Sequence, residues 1–178
     1  SYLLKNNIYP DYIVGDFDSI NKEDIKRLEI DSIKKFKYNC EKDSTDSDIA
    51  MEIALKMEFA EIYMMAMTGS RFDHSFANLG LLCKANDAGA KAYIINETNK
   101  IYLIEESSKI KKDNSYKYIS FLAYCDKVEN FNIKNAKYDL ENYTLYLGDN
   151  RTVSNEFLED DIEVEFTKGK ILVIFSKD

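Results

Sequence analysis

The spacing of apolar residues changes once along this chain, and that change limits the folds it can adopt. Up to about Asn96, short apolar runs alternate with segments whose apolar residues recur at helical spacing, which is typical of α/β proteins. From about Lys100 the helical spacing disappears, and segments rich in Tyr, Ile, Phe and Val alternate with polar clusters. We therefore predict an α/β domain over residues 1–98 and an all-β sandwich or barrel over residues 99–178.

Helix boundaries in the first half are marked by capping residues. Thr45 and Asp48 fit a capping box, and Gly89 is placed to end the helix that Asp73 opens. We predict strands at Tyr12–Val14, Glu61–Ala66 and Ala92–Ile95, the second of them buried, and helices from Asn21 through Leu28, from Thr45 to about Met57, and from Asp73 up to Gly89. The first residues, Ser1 to Leu4, have the pattern of the middle of an amphipathic helix, so we expect an upstream segment to be missing.

The chain ends with a pattern that is typical of a β-hairpin. Apolar and acidic residues alternate between residues 162 and 166, the pair 168–169 supplies a Lys-Gly turn, and residues 171–175 return. The return strand is apolar at every position, so we expect both its faces to be covered. Earlier strands of this half are predicted at Ile101–Ile104, Tyr118–Ala123, Lys127–Ile133 and Tyr143–Leu147.

Two aspartates follow the first predicted strand directly, in the stretch Gly15-Asp16-Phe17-Asp18-Ser19. Residues two apart on an extended chain point to one face, where two carboxylates repel unless a cation lies between them. Mg²⁺ prefers such oxygen ligands. A turn is the alternative, because Gly-Asp and Asp-Ser pairs are common in loops. A turn needs neither both acids nor the preceding strand, so we favour a metal or phosphate site at the strand end.

A second acidic cluster, Asp43-Ser44-Thr45-Asp46, precedes the second predicted helix. Acidic side chains in the first turn of a helix complement its dipole, which explains Asp46 and Asp48 without a role in function. That explanation does not cover Asp43. The cluster is therefore compatible both with a helix start and with a metal site.

The turn Thr68-Gly69-Ser70-Arg71 lies between a predicted strand and a predicted helix. Backbone N–H groups in such a turn suit a phosphate, and the guanidinium of Arg71 adds a bidentate anion ligand. In the structural alternative, the turn is an ordinary loop in which Asp73 caps the helix and pairs with Arg71. A single histidine such as His74 is more often structural than catalytic. By its own residues, the segment 151–156 is only a polar connection between strands.

Composition narrows the classes of function. The net charge of −8 argues against general nucleic-acid binding, and no apolar run is long enough to span a bilayer or to act as a signal peptide. The single histidine excludes a His-rich zinc site. The three cysteines, Cys40, Cys83 and Cys125, form no CxxC pair, so we read them as reduced thiols of a cytoplasmic protein.

Taken together and in chain order, these segments resemble the thiamine pyrophosphokinases. The first half matches that family at residues 12–20, 42–46 and 69–74 and at Asn78, and the second half at residues 136–140 and 153–157. Three departures accompany the match. An early Asp-Gly-Gly segment is absent, Ala66 and Ser70 stand where the family has glycines, and Asn135, Ala136 and Asp139 replace Gly, Leu and Pro of a β-domain motif.

The resemblance implies a Rossmann-like α/β catalytic domain, a thiamine-binding β-sandwich, and a homodimer whose active sites lie between the catalytic domain of one chain and the β domain of the other. The implied reaction moves the pyrophosphoryl group of ATP onto the hydroxyl of thiamine, with Mg²⁺ as the cofactor. The implied catalytic and metal-binding residues are Asp16, Asp18 and Asp46. The implied nucleotide-binding residues are Asp43, Thr45, Thr68, Gly69, Ser70, Arg71, Asp73, His74 and Asn78, and the implied thiamine-binding residues are Tyr138, Ser154 and Asn155.

Two other functions remain open from the residues alone. A haloacid-dehalogenase-type phosphatase also places an Asp-x-Asp pair after an apolar strand, with Asp16 as a covalent nucleophile and Asp18 as acid or base. That reading leaves the later motifs and the β half without a role. A non-catalytic thiamine- or nucleotide-binding protein is the second alternative.

Overall fold

A computed structural model describes residues 2–15, 17, 22–28, 33–37 and 45–178, which divide into two units at Met57. In the first unit, strands β1 and β2 pair in parallel, with Tyr12 opposite Lys34, and helix α3 packs against β1. A small core gathers Leu4, Leu28 and Ile33. The elements are α1 (Tyr2–Lys5), β1 (Tyr12–Gly15), α2 (Lys22–Arg27), β2 (Lys34–Lys37) and α3 (Asp46–Lys56).

The second unit, residues 58–178, contains two sheets and one helix. The five-stranded sheet has the order β3-β4-β5-β11-β7, and the four-stranded sheet has the order β6-β10-β8-β9. Only the β3–β4 pair is parallel among the pairings of these described strands. The elements are β3 (Glu61–Met65), α4 (Phe72–Asp87), β4 (Lys91–Ile95), β5 (Asn99–Ile104), β6 (Ser108–Ile110), β7 (Tyr118–Ala123), β8 (Lys127–Lys134), β9 (Leu140–Tyr146), β10 (Ile162–Glu165) and β11 (Ile171–Ser176).

The main core lies between these two sheets. Strand β11 contributes Ile171, Val173 and Phe175, and Phe121 of β7 meets Phe131 of β8 edge to face, with ring centroids 6.0 Å apart. Leu172 projects from the opposite face of β11, and it is buried as well. The expected coverage of both faces of the last strand is thus confirmed. On the other side, helix α4 packs against β4 and β5 and buries its residues Leu81, Leu82 and Ala85.

The predicted hairpin at the chain end is wrong, because its two strands belong to different sheets. Strand β10 pairs with β6 and β8, whereas β11 pairs with β5 and β7. The connection crosses between the sheets beside β8, where Thr167 N–H donates to the Glu129 carbonyl at 3.0 Å. At Gly169 the backbone has φ +132°, and a β-carbon there would lie 2.9 Å from Cα of Val128. Only glycine allows the connection to pass so close to β8.

One further prediction needs correction, and two strands of the structure were not predicted. The strand predicted as buried is β3, in which Glu61, Tyr63 and Met65 are exposed whereas Met64 is buried, so one face of this strand is uncovered. Strands β2 and β6 were not predicted, since four and three residues are too short to show a period. The predicted Rossmann-like sheet stays a prediction: the structure shows parallel pairs β1–β2 and β3–β4 within mixed sheets.

Candidate functional site

Asp46 is the predicted metal ligand that the structure describes; Asp16, Asp18 and Asp43 lie outside the described residues. Asp46 begins α3 and approaches the end of β1. A β-carbon built on Gly15 would lie 3.3 Å from Oδ2 of Asp46, so this carboxylate lies beside the residue that leads into Asp16. Among the described residues, no three acidic, histidine or cysteine side chains gather closely enough to hold a metal.

Thr45 acts as the N-cap of α3. Its Oγ1 accepts a hydrogen bond from the backbone N–H of Asp48 at 3.2 Å, which is one half of the predicted capping box. This bond fixes where the helix starts and therefore where Asp46 projects. The structural role of Thr45 is thus established, and its nucleotide-binding role stays a prediction.

The turn after β3 is held in shape by side chains of α4. Gly69 N–H donates to Oγ of Ser75 at 3.1 Å, and the same hydroxyl donates to the Arg71 carbonyl at 3.2 Å. Nδ2 of Asn78 donates to the Met67 carbonyl at 2.8 Å. Open space surrounds the β-carbon position of Gly69, so a ligand has access to the backbone there. Thr68, Gly69, Ser70, Arg71, Asp73 and His74 are all exposed on this turn and the first turn of α4.

Asn96 anchors the same turn from the neighbouring strand. It follows β4 directly, and its Nδ2 donates to Oγ1 of Thr68 at 2.8 Å. Its Oδ1 accepts the N–H groups of Thr98 and Asn99, at 2.9 and 2.7 Å. Neither Asn96 nor Ser75 was predicted from the sequence. The position of Asn96 in the chain could have indicated its role. Asn96 follows β4, which is parallel to β3, so the ends of these two strands lie at the same edge of the sheet.

Arg71 and Asp73 form a bidentate ion pair on the surface. Nε of Arg71 lies 3.2 Å from Oδ1 of Asp73, and Nη2 lies 2.6 Å from Oδ2. The bond from Arg71 holds the pKa of the Asp73 carboxyl below its usual value and raises the pKa of the guanidinium. This pairing is the one expected from the structural alternative, although no side chain caps the first turn at Arg71. For Arg71 to bind phosphate, its ion pair with Asp73 would have to open, or the guanidinium would have to contact Asp73 and the phosphate at the same time.

A cavity of about 330 Å³ lies in the β half, where thiamine was expected to bind. Tyr138 and Asn155, two of the three predicted thiamine residues, line it together. The third, Ser154, is exposed and stands between two lining residues. The remaining lining residues are Ile133, Asp139, Leu140, Arg151, Thr152 and Val153.

Residues 152–155 run along the edge of β7 like an additional short strand. Phe121 N–H donates to the Thr152 carbonyl at 3.1 Å, and Ile119 and Asn155 exchange two backbone hydrogen bonds of 2.9 and 2.8 Å. The Thr152 hydroxyl donates back to the Phe121 carbonyl. The segment that looked like a plain connection is therefore a fixed wall of the cavity.

Arg151 is held at the cavity by its own loop. Its guanidinium carbon lies 5.0 Å from the centroid of the Tyr143 ring, and its backbone N–H donates to Asp149 at 3.0 Å. The Tyr143 hydroxyl also donates to Asp149, and this bond is the main reason that the pKa of Asp149 is lowered. This triad was not predicted, because Tyr143 belongs to a strand and Asp149 and Arg151 to the loop after it, and no short motif joins the three.

Two sequence models of protein domains match the chain. The model of the thiamin pyrophosphokinase catalytic domain matches residues 1–94, and the model of the thiamin pyrophosphokinase vitamin B1 binding domain matches residues 107–171. The predicted domain boundary after residue 98 falls between the two matched segments and stays a prediction. Within the described residues, no helix is long and apolar enough to cross a membrane.

Individual relatives agree with these matches. The chain is 33% identical over 177 residues to the thiamine pyrophosphokinase of Bacillus subtilis strain 168, covering 99% of this chain and 83% of that protein. The crystal structure of a Bacillus subtilis thiamine pyrophosphokinase superposes with a TM-score of 0.93 at 31% identity, over 99% of this chain and 83% of that one. The crystal structure of a thiamin pyrophosphokinase from Geobacillus thermodenitrificans superposes with a TM-score of 0.89 at 28% identity, over 99% of this chain and 82% of that one. This chain therefore belongs to the thiamine pyrophosphokinase family.

Proposed function

We propose that this protein transfers the pyrophosphoryl group of ATP to the hydroxyl of thiamine and releases AMP. The observation that carries the proposal is the cavity lined by Tyr138 and Asn155, which lies within the segment matched by the vitamin B1 binding domain. The cavity volume of about 330 Å³ is at the lower end of the range for small-molecule sites. The exposed ring of Tyr138 offers a face that can cover a flat heterocycle.

In the proposed reaction, the thiamine hydroxyl oxygen attacks the β-phosphorus of ATP. The bond between that phosphorus and the oxygen bridging to the α-phosphate breaks, AMP leaves, and the hydroxyl gives up its proton. Most of the catalysis in such a transfer is positioning and charge stabilisation. We assign positioning of the phosphates to the turn at Thr68–Arg71, whose backbone is exposed and whose shape Ser75, Asn78 and Asn96 maintain.

We assign Mg²⁺ to Asp16, Asp18 and Asp46. The donor set fits this ion, because all three ligands are carboxylates and Asp46 lies against Gly15, directly before Asp16. When bound, Mg²⁺ neutralises phosphate charge and orients the phosphates for in-line attack. In a protein of net charge −8, an anionic nucleotide has to be neutralised locally, by such a cation or by a few well-placed Arg and Lys side chains.

We further propose a cytoplasmic homodimer with shared active sites. The exposed residues described in the first half include Asp46, Arg71 and Asp73, to which we assign metal and nucleotide, whereas the cavity that we assign to thiamine lies in the second half. Asp43, Thr45, Asp73, His74 and Asn78 complete the proposed nucleotide site, and Ser154 completes the proposed thiamine site.

The deciding experiment is to incubate the purified protein with ATP and Mg²⁺, with and without thiamine, and to quantify AMP and thiamine diphosphate. We expect AMP to form only with thiamine. Asp18→Asn should lower turnover by about 10²-fold or more, the scale of losing one preorganised charge. Asp160→Asn, which removes an exposed loop carboxylate, is the matched control and should leave turnover unchanged.

Two results would point to the alternative functions. A phosphorylated Asp16 without AMP release would identify an aspartate-nucleophile phosphatase. Binding of thiamine or ATP without any product would identify a non-catalytic binding protein. Either result would refute the proposed activity.

A further inference from the structure

The side-chain amide of Asn155 is buried and joins two segments that border the same cavity. Asn155 is 3% exposed. Its Oδ1 accepts the backbone N–H of Tyr138 at 3.0 Å and that of Glu156 at 2.9 Å, and its Nδ2 donates to the Tyr138 carbonyl at 2.8 Å. Both backbone polar groups of Tyr138 are thus bound by one side chain.

This use of the amide leaves little for a substrate. An asparagine side chain offers two N–H donors and two acceptor positions, and here both acceptor positions and one donor are used within the protein. The same two segments also meet where Lys137 N–H donates to the Glu156 carbonyl at 2.9 Å, and where the Lys137 ammonium lies 2.6 Å from the Glu156 carboxylate. Asn155 is the buried part of this connection.

Ser154 is held in an uncommon backbone conformation. Its φ of +59° lies in the left-handed region, which costs free energy for a residue other than glycine. Its backbone N–H donates to Oγ of Ser120 at 2.9 Å, and Ser120 is a buried residue of β7. The next residue, Asn155, is paired with Ile119 of the same strand. Strand β7 therefore fixes the backbone of Ser154, from which its hydroxyl projects.

We infer that Asn155 and Ser120 are positioning residues of the thiamine site: Asn155 fixes Tyr138, and Ser120 with Asn155 fixes Ser154. Tyr138 and Ser154 then make the substrate contacts. This inference rests on the proposed function, because it takes the cavity to be the thiamine site. It differs from the sequence prediction, in which Asn155 itself contacts thiamine.

The first test is thiamine binding by isothermal titration calorimetry, together with steady-state kinetics. Asn155→Ala should raise the thiamine Kd and KM by about tenfold or more, the effect of losing a set of buried hydrogen bonds. The ATP Kd should stay unchanged, because hydrogen bonds from Ser75, Asn78 and Asn96, and none from Asn155, hold the turn at Thr68–Arg71 in shape. Ser120→Ala should shift the thiamine values in the same direction. An unchanged thiamine Kd in Asn155→Ala would overturn the inference.

A second test separates positioning from direct contact. In a Tyr138→Ala/Ser154→Ala background, adding Asn155→Ala should change the thiamine Kd by less than about twofold, because the residues through which Asn155 acts are gone. If Asn155→Ala costs the same factor in that background as in the wild-type protein, Asn155 contacts thiamine independently. That result would overturn the inference.

Asn132→Ala is the matched control for general loosening of the β half. Asn132 also bridges two backbone segments, donating to Asn130 and accepting from Asn142 at 2.8 Å each, and it is absent from the cavity lining. An equal loss of thiamine affinity in Asn132→Ala would overturn the inference.

If Asn155→Ala does not fold, Asn155→Asp, which keeps the acceptor oxygen, takes its place in both tests. Wild-type protein that binds no thiamine would refute the proposed function as well, whereas normal wild-type binding with an unaffected Asn155 variant refutes this inference alone.

Discussion

Gly15 has a backbone conformation that an L-amino acid with a side chain rarely adopts. Its φ is +145°, and a β-carbon there would meet Oδ2 of Asp46 at 3.3 Å. The strand β1 therefore ends in a residue that lets an acidic side chain from another element come close. The glycine in the Gly-Asp-x-Asp stretch is needed for the placement of Asp46, beyond any role in a turn.

Gly15→Ala should consequently lower both stability and turnover. The strained backbone predicts a loss of about 1–3 kcal/mol in the free energy of unfolding, and displacement of Asp46 predicts slower AMP formation. Urea denaturation and the AMP assay measure the two effects. Gly80→Ala is the control: Gly80 lies within α4 with open space around its β-carbon position, so alanine should be neutral or stabilise by up to about 1 kcal/mol. Unchanged turnover in Gly15→Ala would show that Asp46 needs no such placement.

Arg71→Lys should weaken ATP binding while leaving stability unchanged. A lysine cannot reproduce the two parallel hydrogen bonds of a guanidinium, so we expect the ATP Kd to rise about tenfold. The pair with Asp73 is exposed, and exposed pairs contribute little to stability. Calorimetry with ATP checks the first effect and thermal melting the second, with Arg27→Lys as a control arginine. If the ATP Kd does not change, the function of Arg71 is limited to its pairing with Asp73.

At the level of elements, the loop after β9 depends on one carboxylate. Asp149 accepts hydrogen bonds from the Tyr143 hydroxyl and from the Arg151 N–H, and its pKa is lowered, first by the Tyr143 bond. An aspartate with a lowered pKa stabilises the folded state at every pH above its unfolded pKa. That contribution is lost as the pH falls through the lowered value.

Tyr143→Phe should therefore lower the melting temperature at pH 7, and the difference from wild type should shrink in acid. The charged bond is lost as the pH falls from the usual aspartate pKa, about 3.9, through the lowered pKa of Asp149, so the two proteins become more alike over that range. Scanning calorimetry between pH 7 and pH 3 measures this. Tyr146→Phe, on the exposed side of the same strand, should show no such pH-dependent difference. A Tyr143→Phe difference that is constant with pH would argue against the Asp149 bond as its source.

The sequence predicted where helices and strands lie along the chain better than it predicted which strands pair with each other. Strand β7 has the bounds expected from its apolar run, and α4 ends at Asp87, with Ala88 as the C-cap and Gly89 in the left-handed region, as the glycine signal indicated. The alternation of β10 was also read correctly, but alternation shows which face is buried and carries no information about which strand is adjacent. The final hairpin was wrong for that reason.

In the candidate site, too, some features were predicted from the sequence and others were not. Tyr138 and Asn155 were predicted for one site and do line one cavity, because each lies in a short motif that can be recognised in the sequence. Ser120 and Asn96 were not predicted, since each acts through a hydrogen bond to a residue distant in sequence. Such bonds become visible only when the strands are assembled.

At the level of the whole molecule, the proposal of shared active sites makes a prediction about mixed dimers. Asp18→Asn subunits and Ser154→Ala/Asn155→Ala subunits should each be inactive as homodimers. If one chain supplies the carboxylates and the other the thiamine loop, a heterodimer has one site with both defects and one with neither. Co-expression with two different affinity tags, tandem purification and the AMP assay should recover up to about half of the wild-type activity per dimer. No recovery in a verified heterodimer would mean that each site is built within one chain.

The five-stranded sheet also limits how genes of this family can recombine. Strand β3 and most of β4 lie in the segment matched by the catalytic-domain model, and β7 lies in the segment matched by the vitamin B1 binding model. Strand β5 pairs with β4 and with β11, which in turn pairs with β7. A chimera joined in the turn at Asn96 would have to keep Ile94 opposite Ile101. A mismatch of one residue there would turn core side chains to the wrong face. Exchange of the thiamine half between relatives should therefore succeed only where β4 and β5 are inherited together.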